Sequence, residues 1–101
     1  MQVYDKAAWQ IDNGMNENVV INHFTLVFEW LQAHDMLSKD GKDILDIGID
    51  GDTSLNERLV TAEGAKFLSA YYDKLIEQSE YNTSVEEDLL SCYYDKFKGG
   101  N

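Results

Sequence analysis

The 101-residue chain has no proline, a single cysteine and only eight basic residues. Each scarcity excludes something. Without proline, no position is barred from helix on that account. A lone Cys92 cannot close an internal disulfide, which points to a reducing compartment. The eight Lys and Arg stand against nineteen Asp and Glu, a formal charge of −11. A chain so poor in cations lacks the basic face that nucleic-acid binding needs, and it repels anionic lipid. Long apolar runs are missing too. The richest stretch is broken by Asn22, His23, Thr25 and Glu29, which excludes a membrane span. Met1 to Lys6 holds no basic region followed by an apolar run, so no signal peptide is expected and the chain reads as soluble and cytoplasmic. Its length is that of one domain, residues 1–101.

What is present organises around Val19 to His34. Asn22, Thr25, Glu29 and Gln32 recur at helical spacing and draw one narrow polar stripe, while nearly everything between them is apolar or aromatic. A helix with so little polar face must be covered on several sides. The expected fold is therefore mainly α, a small helical bundle around a buried central helix. Asn16 should cap that helix, with Glu17 in its first turn, and it should end near Asp35 to Leu37. Before it, Asp5 can cap a short helix carrying Ala8, Trp9 and Ile11 inward, broken by Asp12-Asn13-Gly14.

After it, Lys42 to Asp52 mixes two periods. A helical turn over Asp43 to Ile47 competes with the strict alternation of Leu45, Ile47 and Ile49, so a short helix running into an extended segment near 45–50 is expected. Thr53 to Val60 reads as a short helical turn. Thr61 then caps a long helix from Ala62 to about Glu80, on which Ala65, Leu68, Tyr72, Leu75 and Ile76 fall at helical spacing. Ser84 with Glu87 has capping-box spacing for a last helix, Val85 to Phe97, before a frayed Gly99-Gly100-Asn101.

The last two helices share a repeat: Leu68-Ser69-Ala70-Tyr71-Tyr72-Asp73-Lys74 is echoed by Leu90-Ser91-Cys92-Tyr93-Tyr94-Asp95-Lys96. This suggests an antiparallel pair packing related faces on the central helix. Two readings of the tyrosines stand. Tyr71, Tyr72, Tyr93 and Tyr94 could anchor an interface, or one of each pair could be core and the other rim.

Chemistry-bearing patterns are sparse. Asp46 to Glu57 places acids at the first, fifth and twelfth positions of a calcium loop and glycine at its sixth, but Gly48 at the third offers no ligand and no sister loop follows. Cys92 holds the place of Ala70 in the other copy and reads as a small packed residue. His23 and His34 lie eleven apart, too far for shared metal ligation, and read as structural or surface histidines. Leu59 to Gly64 resembles the helix opening of winged-helix DNA-binding domains, but the charge balance argues against that role. Neither an enzyme nor a resident cofactor is expected.

Three blocks, in order, resemble a family of small bacterial domains of unassigned function. They are Tyr4-Asp5-Lys6-Ala7-Ala8-Trp9; His23 with Trp30, followed by Met36-Leu37-Ser38; and Val60-Thr61-Ala62-Glu63-Gly64 with Phe67 and Tyr71-Tyr72. The chain departs from that family where Gln10 follows Trp9, at the turn Asn13-Gly14-Met15, and at Thr25. Small acidic proteins of this kind look like the immunity proteins that neutralise secreted bacterial toxins, including those of contact-dependent growth inhibition. The resemblance implies a cognate toxin domain as partner, and the charge suggests a basic nuclease. The densest acidic stretch, Asp40, Asp43, Asp46, Asp50, Asp52 and Glu57, is the expected contact, with Tyr71, Tyr72, Tyr93 and Tyr94 as anchors. A monomer is expected. The alternatives are an acidic interaction module, a calcium-binding module on the 46–57 loop, and a self-associating helical protein without a toxin.

Overall fold

A computed structural model describes residues 1–99. The elements run β1 (Val3–Lys6), α1 (Ala7–Asp12), α2 (Glu17–Ala33), α3 (Lys39–Ile47), β2 (Ser54–Asn56), a 3-10 turn (Glu57–Leu59), α4 (Ala62–Ser79) and α5 (Thr83–Gly99). The fold is mainly α, as the periodicity implies. Of the frayed end expected at Gly99-Gly100-Asn101, Gly99 closes α5 instead, and Gly100 and Asn101 lie outside the described residues.

α2 is the central helix. It starts where Asn16 Oδ1 accepts the amides of Asn18 and Val19, at 2.9 and 3.3 Å. It stops through a Schellman arrangement. Asp35 takes a left-handed φ of 57°, the Met36 amide returns to the Leu31 carbonyl at 2.8 Å, and Met36 and Leu31 are both buried. Between these ends Val20, His23, Phe24, Val27, Phe28, Trp30 and Leu31 are buried, while Asn22, Glu29 and Gln32 stay exposed along the polar stripe.

The chain then folds back on itself. Leu37 bridges Val60, the Ser38 amide bonds Leu59 O at 2.9 Å, and the Thr61 amide bonds Met36 O at 2.9 Å. This ties the start of α3 to the start of α4, with Ser38 and Thr61 capping the two helices through Gly41 N and Gly64 N. Two glycines permit the approach. A Cβ on Gly64 would sit 2.6 Å from Met36 O, and one on Gly41 would collide with Leu59 O.

α4 and α5 are antiparallel. Glu63 near the start of α4 meets Lys98 near the end of α5 at 2.7 Å, and Phe67 meets Phe97 with ring centroids 5.5 Å apart. Their turn holds two consecutive left-handed residues, Glu80 and Tyr81, which sends the Tyr81 ring inward. The cap of α5 is Asn82, whose side chain accepts from Ser84 N at 3.0 Å, so the helix begins ahead of the expected Ser84–Glu87 box.

The extended segment expected near 45–50 is a non-helical connection that begins at Gly48, and the regular strands form elsewhere. β1 and β2 pair antiparallel, with a bulge between Val3 and Asp5. β2 replaces the first half of the helical turn expected over Thr53 to Val60. Trp9, expected to point inward, is 49% exposed with Lys6 Nζ 5.5 Å from its ring, while Ala7 takes the buried place. Cys92 is exposed rather than packed, as is Ala70 in the other copy.

Candidate functional site

The densest collection of acid–base groups is buried. The bulge in β1 turns Asp5 inward, where it is 3% exposed instead of capping α1. Its Oδ1 accepts Lys6 N at 2.8 Å and Gln10 Nε2 at 3.0 Å. Its Oδ2 accepts the hydroxyls of Tyr72 at 2.7 Å and Tyr81 at 2.8 Å. Tyr72 has one hydroxyl proton, and that proton goes to Asp5. His23 Nε2, 2.8 Å from the same oxygen, must therefore donate. His23 Nδ1 is hydrogen-bonded to Glu86 Oε2. Ser79 Oγ lies 3.5 Å from Glu86 Oε2, and Glu86 Oε1 is buried without a partner.

This chain of bonds links β1, α2, α4 and α5. Burial first, then the facing Asp5 carboxylate, pushes the Tyr72 hydroxyl well above its ordinary value of 10.0. Burial and then the hydrogen bond to Asp5 push Tyr81 the same way. The composition is that of a proton relay, and its His23 and Glu86 are each 0% exposed.

The acidic residues singled out by the sequence are all exposed. Asp40 and Asp43 border a shallow cleft with Asn56 and Arg58, and Asp40 pairs with Arg58 at 3.6 Å. Asp46 lies near the end of α3. Asp50 Oδ1 accepts the Asp52 amide at 2.8 Å in a local turn, and Glu57 accepts the Gln2 amide at 2.7 Å. The positions of the 46–57 pattern fall on a helix end, a turn, a strand and a 3-10 turn. Among the described residues, no group of three or more His, Cys, Asp or Glu is placed to hold a metal ion.

The four tyrosines divide between core and rim. Tyr72 and Tyr93 are buried and do not present themselves as surface anchors, whereas Tyr71 and Tyr94 are half-buried. Core and rim are exchanged between the copies, because Tyr72 matches Tyr94 in the repeat while Tyr93 matches Tyr71. Tyr72 turns to the polar network. Its counterpart Tyr94 turns to Trp30 and His34.

A second feature was missed by sequence reasoning: a groove of about 620 Å³ between α2 and α5. The polar stripe of α2 forms one wall through Asn22, Thr25 and Glu29, and Thr83, Glu87 and Ser91 form the other. Trp30 and His34 line it as part of an aromatic cluster, the His34 ring tilted against Trp30 and Tyr94 with centroids 4.1 and 4.4 Å away. The signal was available, since the stripe marks where no helix covers α2.

Compared with family models, with curated proteins and with solved structures, the chain matches none. No helix of the described residues is long and apolar enough to cross a membrane.

Proposed function

We propose that this chain is an immunity protein that binds a cognate bacterial toxin domain, a basic nuclease, and covers its active site with an acidic surface. The observation that carries the reading is the placement of charge. Of nineteen acidic residues, all but Asp5 and Glu86 are exposed, and of the exposed ones Asp40, Glu57 and Glu63 have ion-pair partners among the described residues. So many free carboxylates on a body of Cα radius of gyration 12.7 Å create a field that draws in a cationic surface and mimics the phosphates such a surface grips. The sealing of the His23–Glu86 network in the core further supports a binding role over a catalytic one.

The test is a pull-down of the tagged protein with the product of the adjoining gene, paired with survival of cells expressing both. The reading predicts recovery of a basic toxin domain and rescue of growth. Failure of the adjoining product to bind or to kill overturns it.

A further inference from the structure

We infer that the groove between α2 and α5 seats an arginine-bearing segment of the partner protein, the guanidinium lying between Glu29 and Glu87 with its stem against Trp30. The inference rests on the reading of the chain as a binder of a basic protein, and it moves the principal contact away from the α3–β2 acids.

Charge complementarity selects the occupant. Glu29 on α2 and Glu87 on α5 line the same groove, and neither makes a hydrogen bond or ion pair among the described residues. No lysine or arginine lines it. His34, the one lining side chain able to carry positive charge, is packed with its ring tilted against Trp30 and Tyr94. The lining is also divided by chemistry, with carboxylates and hydroxyls beside the apolar surface of Leu26, Trp30 and Ala33.

That combination suits arginine better than lysine. A guanidinium is planar and gives up its hydration more readily, and its fork of donors can serve two carboxylates at once. The cleft has length as well. A smaller depression lined by Val19, Glu80 and Tyr81 shares Asn22 and Thr83 with the groove, so the two run together along α2. The continuous surface accommodates a segment of chain rather than a lone side chain, and its added carboxylate, Glu80, keeps the same sign.

The experiment titrates the ¹⁵N-labelled full chain with N-acetyl-arginine methylamide, using the norleucine analogue as an uncharged probe of equal stem. Expected is a saturable shift of the Trp30 indole N–H together with the amides of Asn22, Glu29, Ala33 and Glu87, and none with norleucine. E29Q/E87Q should weaken the probe by about tenfold or more, the scale of a lost charge-assisted hydrogen bond. Ala33→Arg, which fills the groove with the chain's own cation, should abolish the response. Non-saturating shifts spread over all exposed carboxylates, or shifts centred on Asp40 and Asp43, overturn the inference. With the toxin domain itself, unchanged affinity in E29Q/E87Q removes the groove but leaves the immunity reading standing. Arginine binding without any toxin binding does the reverse.

Discussion

The rings of Tyr71 and Tyr93 lie parallel, their planes 6° apart and their centroids separated by 5.1 Å. They hold the same place in the two copies of the repeat, so the antiparallel helices α4 and α5 meet there through equivalent side chains. Tyr93 is also hydrogen-bonded to Gln78. Truncating the buried Tyr93 to alanine should cost about 3–5 kcal/mol, and the half-buried Tyr71 less. A double-mutant cycle read by urea unfolding should return about 0.5–1.5 kcal/mol of coupling. Additive losses would mean the stack contributes nothing beyond burial.

The His23–Glu86 pair makes a second stability prediction. Removing one partner leaves the other buried and unpaired, so His23→Ala and Glu86→Ala should each cost about 3–5 kcal/mol. The double substitution should cost clearly less than their sum, measured by chemical denaturation. Simple additivity would show that the two do not act as a pair.

Tyr72 and Tyr81 make a prediction about pH. Both hydroxyls are held above the ordinary tyrosine value of 10.0 in the folded state, so on alkalinisation the unfolded chain loses these protons first. Their contribution is fully present below about pH 10 and is lost above it, at about 1.4 kcal/mol per pH unit for Tyr72. Unfolding free energies across that range should fall less steeply in Tyr72→Phe than in the parent chain. Equal slopes would contradict the buried donor assignment.

How far the sequence foretold this architecture varies with the length over which each signal is repeated. The polar stripe and the caps Asn16 and Thr61 located α2 and α4 because a long helix repeats its pattern many times. β1 and β2 hold four and three residues, too few for a period to register, and they pair across about half the chain. Asp5 looked like a cap because it precedes a helix. Its real partners, Tyr72 and Tyr81, are distant in sequence. The network was nonetheless readable in part. His23 sits on the apolar face shared by Val20, Phe24 and Val27, and Glu86 continues the face of Leu90 and Tyr93, so both polar side chains fall on buried stripes. Asp5, His23 and Tyr72, which helped carry the family resemblance, meet in this interior network and bear on the fold rather than on a surface.

Gly41 offers a packing test of the α3–α4 junction. Its missing Cβ leaves room for the Leu59 carbonyl, and an added methyl would also meet the Leu37 side chain at 2.7 Å. Gly41→Ala should cost about 1–3 kcal/mol by overpacking, visible as a lowered Tm. Gly14→Ala meets nothing within 4 Å, so its effect reports only the strain of a φ of 96°. A neutral Gly41→Ala would show that α3 does not sit this close to the 3-10 turn.

The exposed acids of the α3–β2 region should act on association from a distance. Neutralising Asp46, Asp50 and Asp52 to asparagine should slow toxin association and flatten its salt dependence while leaving dissociation unchanged. Loss through dissociation alone would place these residues inside the contact.

Titrating the nuclease activity of the adjoining toxin domain with the purified chain tests neutralisation most directly. The account predicts that activity falls linearly to zero at equimolar protein, with association slowing steeply as salt rises. Full nuclease activity in the presence of excess chain would contradict it.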